Sequence, residues 1–157
     1  MPKSGLSAVA SVGSARSPAY NVVAQYVFRD ARGDRLQSAP WLDSTIKEPD
    51  HEPGYDSFTV IADCTLRSRS IHADSVIIDV TYNVIGRSKA FTDAAGAGRF
   101  IIVPVDTVET VAFPVVRTAV GWRIESPQID QHVSPIALLY HVTVKPMLMA
   151  DIQRMRR

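Results

Sequence analysis

The chain has a single cysteine and no long hydrophobic run, and each shortage excludes a class of protein. Cys64 is the one cysteine in 157 residues, so an intramolecular disulfide cannot form. No apolar run approaches the roughly 20 residues that a membrane-spanning helix needs. Cys64 also lies in an alternating apolar stretch, which favours a buried, unreactive thiol over a catalytic one.

Excess charge and recognisable catalytic motifs are lacking as well. The formal net charge is +1, which indicates neither a nucleic acid nor an anionic membrane as partner. The four histidines lack the paired spacing of a zinc or iron site, and there is no phosphate loop, dinucleotide fingerprint or nucleophile elbow. We therefore expect no metal and no organic cofactor, assign no catalytic residue, and lean against an enzyme.

The composition along the chain predicts one folded domain with two appendages. Residues 1–17 are rich in Ser, Ala and Gly and are predicted to be a disordered leader or linker. Residues 18–145 are predicted to form a single α+β domain, followed by a basic helical tail over residues 146–157. The compartment stays open between the cytoplasm and export, the latter if a signal precedes this sequence.

The first ordered element is predicted to be an amphipathic helix that begins at Ser17-Pro18 and ends at Gly33. Its apolar residues recur at helical spacing: Tyr20, Val23, Ala24, Val27, Phe28 and Ala31. We expect Val27 and Phe28 to anchor the core. A second short helix within residues 39–46 is left open.

Two alternating stretches around His72-Ala73-Asp74 predict a long β-hairpin. The even-numbered residues are predicted to face the helix: Val60, Ala62, Cys64, Val76, Ile78, Val80 and Tyr82. Keeping them on one face places Asp63 opposite Asn83, and Arg67 opposite Asp79. Asp63 and Asp79 then lie on the wetter face, where Asp79 forms a surface ion pair with Arg67 rather than an acid/base pair with Asp63.

Further strands are predicted over residues 100–117 and 122–125, with a second helix start at Ser134-Pro135. Pro104 and Pro114 interrupt the longer strand and should lie at a bulge or on an edge, because proline lacks a ladder donor. The predicted fold is therefore α+β, with a curved antiparallel sheet of about four to six strands packed against the N-terminal helix.

The order of elements, the Pro53-Gly54-Tyr55-Asp56 lead-in and the strand Gly121-Trp122-Arg123-Ile124 resemble the nuclear transport factor 2-like superfamily, also described as SnoaL-like or cystatin-like. The resemblance implies a cone in which the sheet and covering helices enclose a pocket. It also implies functions that range from isomerases and dehydratases to non-catalytic binding and assembly domains. A fold shared by so many functions does not select one of them.

Six polar or aromatic residues remain as candidates to line such a pocket: Trp41, Tyr55, Asp56, Tyr82, Asp130 and His132. An Asp130 carboxylate would fix the tautomer of His132, although residues this close more often form a local turn contact. We predict a non-catalytic domain that binds a protein partner or an apolar small molecule, with a homodimer through the sheet as one form. The alternative is a cofactor-independent isomerase, dehydratase or cyclase.

Overall fold

The computed structural model forms one long helix packed on a five-stranded sheet. It describes residues 17–36, 45–47, 58–96, 98–125 and 130–138. The predicted leader up to residue 16 and the tail over residues 146–157 lie outside the described residues. So do most of the stretch in which a second helix was left open and three predicted site residues, Trp41, Tyr55 and Asp56.

Helix α1 spans Pro18–Ala31 and has the predicted caps. The Ser17 Oγ accepts a hydrogen bond from the Tyr20 N–H at 3.3 Å. Pro18 follows at the first helical position, where proline is favoured because it has no N–H that would need a partner. At the other end Gly33 adopts a φ of 81°, a conformation that favours glycine, and a 3-10 turn over Asp34–Leu36 follows.

One face of α1 packs on the sheet, and it consists of Ala19, Tyr20, Val23, Tyr26, Val27, Asp30 and Ala31. Val27 is 2% exposed, as expected of a core anchor, but Phe28 is 42% exposed, so the prediction for Phe28 is wrong. Each residue turns about 100° around a helix, which carries Phe28 beyond the buried face. There its ring lies 5.3 Å from the Arg32 guanidinium.

The sheet has the strand order β4-β3-β2-β1-β5. Its strands are β1 Phe58–Ile71, β2 Ser75–Thr92, β3 Gly98–Thr118, β4 Gly121–Ile124 and β5 Gln131–Val133. β5 runs parallel to β1 and the other pairings are antiparallel, so the sheet is mixed rather than purely antiparallel as predicted. Among the described strands β4 and β5 are the two ends, and the sheet does not close on itself.

The register of the β1–β2 hairpin is the predicted one, with Asp63 opposite Asn83 and Arg67 opposite Asp79. The ion pair differs. A register irregularity between Ser68 and Ser70 inserts Arg69, whose Nε donates to Asp79 Oδ2 at 2.8 Å. Asp79 therefore pairs with Arg69 rather than Arg67, and no acid/base pair forms with Asp63, which accepts a hydrogen bond from the Asn83 amide.

Alternation places most of the predicted even-numbered residues in the interior, and Val60, Cys64, Val76, Ile78, Val80 and Tyr82 are buried. Ala62 is exposed and Ile61 is fully buried in its place. Register irregularities lie on both sides of Ile61. A bulge adds a residue to one strand and so resets which side chains face inward.

The two prolines of β3 lie where a missing donor costs little. Pro104 pairs with Gly86 beside the irregularity that separates Val84 from Gly86. Pro114 accepts a hydrogen bond from Glu125, one residue beyond β4. The N and O of a strand residue point to the same side, so the absent N–H of Pro114 lies past the end of the β3–β4 ladder. The predicted bulge and edge positions are confirmed.

No helix within the described ranges is both long and apolar enough to cross a bilayer.

Candidate functional site

A group of polar side chains lies where α1 packs on the sheet, and we call it the polar cluster: Tyr26, Asp30, Arg35, Tyr82, Glu109 and His132. All are buried except Glu109, whose side chain is 31% exposed. α1 contributes Tyr26 and Asp30, while Tyr82, Glu109 and His132 come from β2, β3 and β5. The backbone N–H of His132 donates to Asp30 Oδ2 at 3.0 Å. The N–H of Ser134 donates to the Ala31 carbonyl at 2.9 Å. These two bonds fix β5 against the end of the helix.

A buried ion pair forms the helix side of the polar cluster. Arg35 Nη1 lies 3.3 Å from Asp30 Oδ2 and donates to Tyr26 Oη at 2.8 Å. The two charged side chains are 3% and 1% exposed. Sequence reasoning missed this pair, although Asp30 lies at helical spacing from Val23 and Val27, so an acid on the apolar stripe was the available signal.

Tyr82 and His132, both predicted site residues, are brought into direct contact. Their ring centroids lie 4.1 Å apart with an interplanar angle of 24°, a stacked arrangement. β2 places Tyr82 on the helix side of the sheet, and the short β5 carries His132 to the same place by pairing with the start of β1. Both side chains are buried.

The second nitrogen of His132 determines its tautomer. Nδ1 lies 2.7 Å from the backbone carbonyl oxygen of Asp130. A carbonyl only accepts, so Nδ1 carries a proton. Burial lowers the pKa of His132, although the Asp130 carbonyl and the Glu109 carboxylate oppose the shift. The ring is therefore neutral at pH 7, with a lone pair on Nε2. The orienting group is the Asp130 carbonyl, so the local turn contact that the sequence favoured is present and the carboxylate does not orient the ring.

Glu109 is a member of the polar cluster that sequence reasoning did not identify. Its Oε2 lies 3.8 Å from His132 Nε2, and its Oε1 pairs with Arg87. Glu109 stands opposite Tyr82 in the β2–β3 register. Its odd number matches the apolar face of β3, formed by Val111, Phe113 and Val115, and this shared parity could have placed it inward.

Two polar atoms of the stacked rings have no partner among the described residues. Within the part of the chain that the structure describes, neither Tyr82 Oη nor His132 Nε2 has a hydrogen bond. Burial, followed by the charge of Asp30, raises the pKa of Tyr82, so its hydroxyl stays protonated and able to donate. A buried unsatisfied group costs about 1–3 kcal/mol. Native proteins keep few of them, often where something binds or reacts.

The thiol of Cys64 does not supply a nucleophile. Burial, with a smaller contribution from Asp63, raises the pKa of Cys64 to about 11. The thiolate is the reactive form of cysteine, and it is scarce at neutral pH with such a pKa. Among the described residues there is also no group of three His, Cys, Asp or Glu side chains arranged to hold a metal ion.

Comparison with protein-family models, with curated proteins and with solved structures finds no match to this chain. The resemblance to the nuclear transport factor 2-like superfamily, its cone and its pocket therefore stay predictions. Function has to be argued from the polar cluster itself.

Proposed function

We propose that the protein is a non-catalytic binding domain that holds a small, largely apolar molecule, carrying one polar group, against the Tyr82–His132 stack. The observation that carries the proposal is the pair of buried polar atoms, Tyr82 Oη and His132 Nε2, that lack partners among the described residues. A ligand that bonds either atom recovers free energy that the unliganded fold has lost.

The surroundings favour an apolar ligand body. Buried apolar side chains of the sheet flank Tyr82 on its own strand and across from it, among them Val80, Val84 and Cys64. Ligand sites are commonly apolar, with a few polar groups that fix orientation. The charged members Asp30 and Arg35 already bond each other, so the polar contact falls to other members of the cluster, among them the stacked rings.

Both polar atoms are out of solvent contact, so a ligand enters through a rearrangement of the side chains that cover them. Association should accordingly be slower than diffusion-limited encounter, because binding requires a conformational change. The hydrogen bonds between α1 and β5 restrain the opening.

Binding of benzyl alcohol, followed by calorimetry and by amide NMR shifts, tests the proposal. We expect shifts at Tyr82 and His132, and a several-fold weaker affinity for Tyr82→Phe, since one hydrogen bond contributes about 1 kcal/mol. Thr81→Val is the matched control, because Thr81 bonds Thr110 on the opposite face. If neither benzyl alcohol nor toluene shifts the amides of the polar cluster, the proposal is wrong.

An acid/base enzyme of the isomerase, dehydratase or cyclase type is the second candidate, favoured by one observation. His132 presents a neutral Nε2 lone pair, and the ring stacked on it carries a protonated hydroxyl. The Nε2 could remove a proton α to a carbonyl while the hydroxyl of Tyr82 donates to the carbonyl oxygen. Deuterium exchange into cyclohexanone decides the matter. Catalysed exchange by wild type and His72→Phe, but not by His132→Phe, would establish the enzyme.

A further inference from the structure

The contact between His132 and Glu109 joins two hydrogen-bond acceptors. The proton on Nδ1 is committed to the Asp130 carbonyl, so Nε2 offers a lone pair. Glu109 Oε2, 3.8 Å away, is a carboxylate oxygen and also accepts. Neither atom can donate to the other, and the separation exceeds a hydrogen bond. Among the described residues His132 Nε2 has no hydrogen-bond partner, and Glu109 Oε2 cannot provide one.

The spacing suits one donor atom that carries two hydrogens. A nitrogen about 2.9 Å from each acceptor spans a gap of 3.8 Å. A hydroxyl supplies one hydrogen and leaves the second acceptor without a bond. An NH₂ group supplies both.

Burial favours a neutral donor over an ammonium. The charge of Glu109 is already opposed by Arg87, through its other oxygen. Burial is the main cause of the lowered pKa of His132, and it would act in the same way against a cationic ligand. Arg35 adds to this effect, while Glu109 and Asp130 oppose it. Moving an ammonium into a buried site whose carboxylate is already paired would cost several kcal/mol.

We propose that His132 Nε2 and Glu109 Oε2 together bind the NH₂ of a primary carboxamide. This inference rests on the proposed function and specifies the polar group of the ligand. The carboxamide nitrogen is uncharged and donates one hydrogen to each acceptor. Its planar body extends over the apolar neighbours of Tyr82. A water molecule, which also has two hydrogens, is the competitor that the ligand displaces.

The test compares the affinities of benzamide and acetophenone for the full-length protein by calorimetry. The two probes have the same shape, but a methyl group replaces the NH₂ in acetophenone. We expect benzamide to bind at least tenfold more tightly and to shift the His132 ring resonances. Equal affinities would overturn the carboxamide inference. Binding of toluene or benzyl alcohol at the polar cluster would still support the proposed function, whereas failure of all four probes would overturn both.

Variants locate the effect without depending on a single mutant. Glu109→Gln removes the charge and one acceptor with little change in shape, and it should reduce the benzamide preference at least fivefold. Asp79→Asn is the matched control on the opposite face, where Asp79 pairs with Arg69, and it should leave the preference unchanged. A preference retained by Glu109→Gln with an unchanged melting temperature would exclude Glu109 from the site.

Discussion

The two faces of the sheet both carry polar pairs, and they differ in how well those pairs are satisfied. On the outer face Thr81 bonds Thr110 and Asp79 pairs with Arg69, each at hydrogen-bond distance and in contact with water. On the helix face Asp30 and Arg35 are sealed in the interior. Solvent supplies any bond the outer pairs lack, whereas each missing bond inside is a loss. Contact with water therefore separates polar pairs of small energetic consequence from those of large consequence.

The largest expected effect comes from breaking an ion pair on each face. Asp30→Ala should lower the free energy of unfolding by about 3–5 kcal/mol, because it removes a carboxylate that pairs with the buried Arg35 charge. Asp79→Ala should cost at most about 1 kcal/mol, since the Arg69 guanidinium is exposed and screened by water. Urea denaturation of both variants measures the difference. Similar losses would show that the polar cluster is open to solvent.

The helix shows the same contrast between an inner and an outer side. Val27→Ala should cost about 1.5–3 kcal/mol, because it removes methyl groups from full burial. Phe28→Ala should cost less than about 1 kcal/mol, because that ring is 42% exposed despite its larger size. Thermal denaturation of the two variants ranks them. A larger loss at Phe28 would mean that it contacts a further surface.

The helix cap and the strand register were predictable from sequence because they depend on residues that are close together in the chain. The cap at Ser17 and the register that sets Asp63 against Asn83 follow from local spacing, and both are confirmed. The burial of Ile61 in place of Ala62 was not predictable, because it follows from a bulge and bulges arise from the pairing of two strands. The helix-side ion pair was missed since the burial of Asp30 depends on His132, which lies 102 positions away in the chain.

Of the predicted site residues, Tyr82 and His132 are in contact, but strand alternation predicts the position of only one of them. The helix-facing position of Tyr82 follows from period-two spacing. The position of His132 depends on the three-residue strand β5, which pairs in parallel with the start of β1 and is too short to give a periodic signal. The odd number of Glu109 matches the inward-facing residues of β3 and could have placed it on that face. A charged residue on an apolar face is plausible, however, only once its partners are known.

A mildly acidic pH should lower the free energy of unfolding through His132 on the inner face of the sheet. The pKa of His132 is lowered in the fold, so below pH 6.5 the unfolded chain binds more protons than the folded one. The free energy of unfolding then falls with decreasing pH, by at most about 1.4 kcal/mol per unit, until the folded pKa is reached. More than about one unit above pH 6.5 neither state binds a proton at this group, and its pH dependence vanishes.

The groups facing His132 are Glu109, Asp130, Arg35 and Tyr82 from the adjoining elements, with Asp30 bonded to its backbone. Denaturation of wild type and His132→Phe between pH 5 and 8 isolates the imidazole from the carboxylates. His72→Phe is the control, since His72 is exposed at the hairpin turn. An identical acid dependence in wild type and His132→Phe would mean that the imidazole titrates normally.

The last comparison is between two buried tyrosines, whose substitutions should change stability in opposite directions. The Tyr26 hydroxyl accepts from the Arg35 guanidinium, so Tyr26→Phe should lower the free energy of unfolding by roughly 1.5–3 kcal/mol. The Tyr82 hydroxyl has no partner among the described residues, so Tyr82→Phe should raise it by about 1 kcal/mol while weakening ligand binding. Both variants delete the same oxygen from a buried ring, so cavity effects are matched. Urea denaturation of the unliganded protein reports the sign. A loss of stability in Tyr82→Phe would show that the hydroxyl is already satisfied in the free protein, and the site would lose the feature that distinguishes it from an ordinary core.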